Sequence, residues 1–254
     1  MLGRARVDTA FAALRRFASD ASHELRTPLA RLRTDLEVTL AHPRAPEAYR
    51  EALERAVDET IGLSEIVSRV LELARLESHA GRPQLDVVDL RDLIDDVTEL
   101  AAPLLEQRRL DIRVEGVGDL RVQGDRQLLR QLLWNLIDNA IKLTGVGDRV
   151  TVSVEALSNR RLLLAVADNG PGIAREDLPH VGRPFFRATL GGGKPGHGLG
   201  LALCDRIARA HGSRLQIESP VQGSPAAADA SLSPGVRVSL EVSRFAEPGA
   251  GTVS

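Results

Sequence analysis

His23, Glu24 and Thr27 lie in Ser22-His23-Glu24-Leu25-Arg26-Thr27-Pro28-Leu29, a strongly helical stretch. At about 100° per residue, His23 and Thr27 project from nearly the same helix face, with Glu24 beside them. Free imidazole titrates near pH ~6.5, which makes it a good nucleophile at neutral pH. An adjacent carboxylate can orient the ring and accept its proton. The trio suits the making and breaking of a phosphohistidine.

Three further clusters could hold an anionic, metal-bearing ligand. In Asn135-Leu136-Ile137-Asp138-Asn139-Ala140-Ile141-Lys142, the residues Asn135, Asn139 and Lys142 stand at i, i+4 and i+7 and share a helix face. Two amides and an ammonium so aligned suit a hydrated Mg²⁺ with phosphate oxygens, since Mg²⁺ takes oxygen ligands and keeps several waters. The same spacing also fits a solvated polar face. Asp168-Asn169-Gly170-Pro171-Gly172 follows an apolar strand. Gly170 and Gly172 permit close approach of the backbone to a ligand, although the run equally fits a turn. Gly196-His197-Gly198-Leu199-Gly200 opens a helix, whose first N–H groups favour an anion. A loop-to-helix cap has that composition too. Arg187 and Lys194 could meet phosphates or be solvated charges.

Residues 5–40 read as a helix with an apolar seam at Leu25, Leu29, Leu32, Leu36 and Leu40. Pro28 inside it predicts a bend one turn after His23. The 41–46 stretch Ala-His-Pro-Arg-Ala-Pro marks a turn. A second helix, 47–78, carries Leu53, Val57, Thr60, Leu63, Val67, Val70 and Ala74. Two antiparallel helices cannot bury such seams alone, so a homodimer forming a four-helix bundle is expected.

Gly81-Arg82-Pro83 separates this region from a mixed pattern. Strands are expected at 84–88, 110–114, 120–122, 150–156, 162–167, 215–218 and 236–242, and helices at 89–108, 125–143 and 199–211. This predicts a two-layer α/β sandwich. The domains are therefore 1–80, a helical hairpin, and 81–246, with a disordered tail at 247–254. Residues 174–197, with Gly191-Gly192-Gly193, have the length and composition of a mobile lid, and 220–234 those of a flexible loop.

Composition narrows the function classes. A net charge of −2 gives no support for nucleic-acid or membrane-surface binding. The single Cys204 excludes an intramolecular disulfide and a multi-cysteine zinc site, and suits a reducing compartment. No apolar run approaches the ~18–20 residues needed to span a bilayer. The chain reads as cytoplasmic, without direct membrane insertion. Aromatic residues are only 3%, so Leu, Val, Ile and Ala must build the cores.

The stretch from Phe17 to Leu29 resembles the H-box of sensor histidine kinases almost residue for residue. The three downstream clusters resemble, in the family's order, its N-, G1- and G2-boxes, and Pro184-Phe185-Phe186-Arg187 resembles its F-box. The likeness covers nearly the whole chain. It implies a dimerisation and phosphotransfer hairpin followed by an ATP-binding domain of the GHKL (Bergerat) type, shared with type II topoisomerases, certain chaperones and mismatch-repair ATPases. It implies His23 as phosphoacceptor, Glu24 as base, and Thr27 as a holder of water in a phosphatase reaction. Asn139 would reach Mg²⁺, Lys142 the phosphates and Asp168 the adenine amine of ATP. Asn135, Gly170, Gly172, Arg187, Lys194, Gly196, Gly198, Leu199 and Gly200 would complete the nucleotide site. The implied partner is the receiver domain of a response regulator. The chain would be the cytoplasmic portion of an inner-membrane sensor kinase. Two departures stand out. Leu143 occupies a place where the family often has an aromatic beside adenine, and Val181-Gly182-Arg183-Pro184 is atypical. A conformational ATPase of the same fold, or a non-catalytic dimeric nucleotide-binding module, are the rival readings.

Overall fold

The computed structural model describes residues 2–77, 83–188, 196–220 and 235–245, with side chains from residue 19 onward. The expected tail lies outside the described residues, as does nearly all of the 220–234 loop. The chain divides into two compact units, Met1–Ala74 and Arg75–Ser254.

The first unit is built on α1 (Leu2–Leu40) and α2 (Pro46–Glu77). Pro46 opens α2 at a position where its missing N–H costs nothing, and Glu47 favours the positive helix end. At the end of α1, Arg44 Nη2 donates to the Val38 carbonyl at 3.1 Å. Helix α1 runs through Pro28 without interruption.

The shielded rows differ from the predicted seams. On α1, Ala21 and Thr39 are buried and Leu25, Pro28, Leu32 and Leu36 half-buried, while Leu29 and Leu40 are exposed. On α2, Ala52 and Ile66 are buried and Ala56, Leu63 and Val70 half-buried. Leu53, Val57, Val67 and Leu71 form an exposed row one position further on. Helix α2 is thus apolar over a stripe wider than one seam. One chain shields only the inner edge of it.

The second unit holds β1 (Asp86–Asp89), α3 (Leu90–Arg108), β2 (Asp111–Glu115), β3 (Arg121–Gly124), α4 (Arg126–Leu143), β4 (Arg149–Ser158), β5 (Arg161–Asp168), α5 (Gly200–Ala210), β6 (Gln216–Glu218) and β7 (Val236–Ser243). A five-stranded sheet runs β2-β4-β5-β7-β6, and β1 pairs with β3 beside it. Among the described residues, only β2 and β4 pair in parallel; the other pairs are antiparallel.

Period-two alternation gives the sheet one apolar face. Val152, Val166 and Val238 form one cross-strand row, and Val154, Leu164 and Leu240 the next. All six are buried. Each such side chain contributes roughly 1.5–3 kcal/mol on burial. The opposite face carries ion pairs, among them Arg237–Glu155 at 2.9 Å and Arg161–Glu241 at 3.3 Å. Helices α3, α4 and α5 form the second layer. They bury Leu93, Ile94 and Val97 from α3, Leu129, Leu132, Leu133 and Ile137 from α4, and Leu203, Cys204 and Ile207 from α5. The two-layer expectation is borne out, and Cys204 is a core residue.

Both long helices of this layer are capped by aspartates. Asp89 accepts from Arg91 N at 2.8 Å, and Asp125 from Gln127 N and Leu128 N at 3.0 and 3.1 Å. His211 ties α5 to α4. Its Nε2 lies 3.0 Å from Asp125 N, which can only donate, so Nδ1 carries the proton toward the Ile207 carbonyl at 2.8 Å.

Candidate active site

In the first unit, His23 and Thr27 are exposed on α1 and Glu24 is half-buried. The Thr27 hydroxyl donates to the His23 carbonyl at 3.3 Å. Proline has no N–H, so Pro28 leaves the Glu24 carbonyl without its intrahelical donor. Both features fall in the turn that carries the imidazole.

In the second unit, α4 presents a polar face at its C-terminal half because its other faces are taken by the core. Asn135 is 4% exposed, and Asn139 and Lys142 are half-buried. Asn135 Nδ2 has no hydrogen-bond partner. A buried amide donor left so costs ~1–3 kcal/mol, and an anionic oxygen would satisfy it. Lys142 Nζ lies 2.6 Å from Asp138 Oδ2, a buried carboxylate one turn earlier. The spacing i, i+4 fits this pair; sequence reasoning gave Lys142 phosphate contacts or a solvated face and did not name Asp138 as its partner.

Strand β5 ends at Asp168, which burial and the nearby Asp148 push up to about 6. Opposing that rise, the carboxylate accepts from the backbone N–H groups of Gly170, at 2.9 Å, and Val236. Gly170 packs on the end of α4, where an added Cβ would lie 3.3 Å from Thr144 Cγ2 and 3.5 Å from the Leu143 carbonyl. The Asp168 loop and the asparagine helix therefore meet. Gly172 is buried in the same loop.

Helix α5 begins beyond Leu199, which is buried and gives its first N–H groups no side-chain cap. Gly198, with φ of 66°, presses on the preceding segment: a Cβ there would come within 2.6 Å of the Phe186 carbonyl oxygen. The Phe185 N–H donates to the Gly198 carbonyl at 2.9 Å. These contacts join the F-box-like and G2-like segments. Gly196 and Arg187 are exposed, and Gly200 is buried in the first turn of α5. Lys194 and Gly191-Gly192-Gly193 lie outside the described residues.

Two residues of this site escaped sequence reasoning. Gly235 adopts φ of 67°, and a Cβ there would overlap the Asp168 carbonyl oxygen. Ser219, at the end of β6, is buried and bonded to both Ile173 and Gly235. The glycine at the end of an Ala/Ser/Pro-rich loop was the available signal for the first; nothing marked the second.

The residues of α4, the Asp168 loop and the start of α5 fit a magnesium nucleotide: an orphaned buried amide donor, a half-buried carboxylate that can accept from a base amine, and an uncapped helix N-terminus beside a glycine that tolerates no side chain.

Comparison with known proteins gives a consistent result. Residues 13–79 match the His Kinase A (phospho-acceptor) domain. Residues 124–244 match the histidine kinase-, DNA gyrase B-, and HSP90-like ATPase. A signal transduction histidine-protein kinase/phosphatase MprB from Mycobacterium ulcerans (strain Agy99) is 37% identical over 230 residues, covering 87% of this chain and 44% of the relative. The chain thus spans less than half the length of that relative. Among solved structures, the Acinetobacter baumannii histidine kinase AdeS superposes with a TM-score of 0.67 at 25% identity, covering 88% of this chain and 98% of that one. Full-length ShkA in complex with AMPPNP gives a TM-score of 0.63 at 26% identity, covering 92% of this chain and 47% of that one.

Proposed function

The chain belongs to the sensor histidine kinases, and from that premise we propose that it phosphorylates His23 from ATP and passes the group to a response-regulator aspartate. The observation that carries the ATP assignment is the half-buried Asp168 carboxylate at the end of β5, backed by two N–H groups in a loop that packs on the C-terminal end of α4. On this reading the unit before residue 80 carries the phosphoacceptor, and residues 81–246 bind nucleotide.

Asp168 accepts from the adenine amine, and the Asn135 donor meets a phosphate oxygen. The N-terminal amides of α5, beside Gly198, bind the phosphate chain. Asn139 would hold Mg²⁺, which would supply positive charge to neutralise the transferring group. His23 attacks the γ-phosphorus. A nitrogen–phosphorus bond forms as the bond to the bridging oxygen breaks, ADP leaves, and Glu24 takes the imidazole proton. Thr27 holds the water that attacks the regulator's phospho-aspartate; the naming of the mycobacterial relative as kinase/phosphatase supports that second activity. The exposed row Leu53, Val57, Val67 and Leu71 supports a homodimer. No helix among the described residues is long and apolar enough to cross a membrane, and a kinase drawing on ATP works in the cytoplasm.

Incubation with γ-labelled ATP tests the proposal. Wild type should retain label that is lost in acid, as a phosphoramidate is. His23→Gln should retain none while binding ATP as before. Hydrolysis of ATP with no protein-bound label would favour a conformational ATPase, and nucleotide binding without turnover a non-catalytic module. His211 is a poor alternative acceptor, since both of its ring nitrogens are engaged.

A further inference from the structure

We propose that Ser219 is a positioning residue for base recognition, acting through the backbone that holds Asp168; this rests on the ATP-binding reading. Ser219 is 7% exposed. Its hydroxyl donates to the Gly235 carbonyl at 2.8 Å and accepts from Ile173 N at 2.9 Å. The Gly235 N–H donates to the Gly170 carbonyl at 3.0 Å. Gly170 and Val236, the residues at the far ends of these links, supply the two backbone N–H groups that hold the Asp168 carboxylate. One hydroxyl therefore ties together the end of β6, the entry to β7 and the glycine loop after β5.

Nothing else in this linkage is a side chain apart from Asp168 itself. Gly235 cannot be padded, because a Cβ would strike the Asp168 carbonyl. Gly170 is packed against Thr144 and Leu143. The loop is held by these backbone hydrogen bonds and by Asn169, whose Oδ1 accepts from Arg149 N at 2.6 Å; among the described residues, Ser219 is the side chain that ties the loop to Gly235 and the entry to β7. Removing the hydroxyl takes a partner from the buried Gly235 carbonyl and from the N–H of half-buried Ile173. The Gly235–Val236 peptide is then free to shift, and Asp168 with it. A carboxylate out of place loses the adenine amine, and with it the rejection of guanine, which offers an acceptor at the same position.

The test compares wild type, Ser219→Ala and Ser219→Thr in autophosphorylation with ATP and GTP. Ser219→Ala should raise KM for ATP about tenfold. It should erode the preference for ATP over GTP by a similar factor and keep the maximal labelling rate within about twofold. Ser219→Thr, which retains a hydroxyl, should restore both. Should Ser219→Ala fail to fold, Ser219→Cys, a weak donor of similar size, should show the same pattern at smaller amplitude. An unchanged KM, or equal losses for ATP and GTP, would overturn the positioning role while leaving the kinase reading intact. Wild type that binds no ATP would overturn both.

Discussion

Asp168 combines a backbone cradle with burial, and burial wins: the carboxyl is pushed up from 3.8 to about 6. The folded chain then holds this proton more tightly than the unfolded chain. Stability from the protonated form is full below about pH 4 and is lost as pH rises through about 6, a difference on the order of 3 kcal/mol. Asp148 is the charged neighbour that adds to the cost of ionisation. Asp168→Asn should therefore melt several degrees above wild type at pH 8, and the gap should close by pH 4, where wild type is neutral too. The same change should weaken ATP binding at least tenfold at pH 8. An amide whose oxygen takes the two backbone donors presents its own N–H groups to the adenine amine. Equal melting of the two proteins at pH 8 would refute the buried-charge account. Lys142 shows a related tension. Its ammonium sits on Asp138 at 2.6 Å, so contact with phosphate requires it to leave or share a buried carboxylate.

Helix α2 carries two apolar rows side by side, and they serve different ends. The row through Ala52, Ala56, Leu63, Ile66 and Val70 is shielded within one chain, while Leu53, Val57, Val67 and Leu71 stay exposed. Truncation of Ile66, 1% exposed, should cost the hairpin ~2–5 kcal/mol in chemical unfolding. Leu53→Glu, at a position 61% exposed, should change monomer stability by less than about 0.5 kcal/mol yet weaken self-association in sedimentation. If Leu53→Glu instead melted the hairpin and left association untouched, the two rows would have been assigned in reverse. Sequence periodicity revealed both helices and their apolar character. It could not separate rows one residue apart, because either spacing satisfies a heptad. The strands were legible for the same kind of reason, from alternation such as Val150, Val152 and Val154. The parallel pairing of β2 with β4, and the clasp of Ser219 on Gly235, were not legible. They depend on residues brought together by the fold through backbone atoms, which leave no pattern in side-chain type.

The division into two units, each with its own buried residues, bears on how a phosphoryl group would reach His23 in the proposed reaction. If the second unit folds around its own sheet and three helices, residues 81–254 alone should bind ATP as the whole chain does. Phosphohistidine formation is different, because donor and acceptor then belong to separate molecules. Within one chain or one dimer, a short linker gives an effective concentration in the millimolar range. Separated units mixed at ~10 μM should therefore label His23 about a hundredfold more slowly than the intact chain, by the same effective-concentration ratio. The rate should rise in proportion to the concentration of the ATP-binding unit, and a saturating excess should recover much of the loss. The measurement is initial labelling of residues 1–80 against increasing amounts of residues 81–254 at saturating ATP. A rate that does not depend on that concentration would mean that the two units bind each other tightly without the linker, so that a stable interface rather than tethering brings the nucleotide to the histidine.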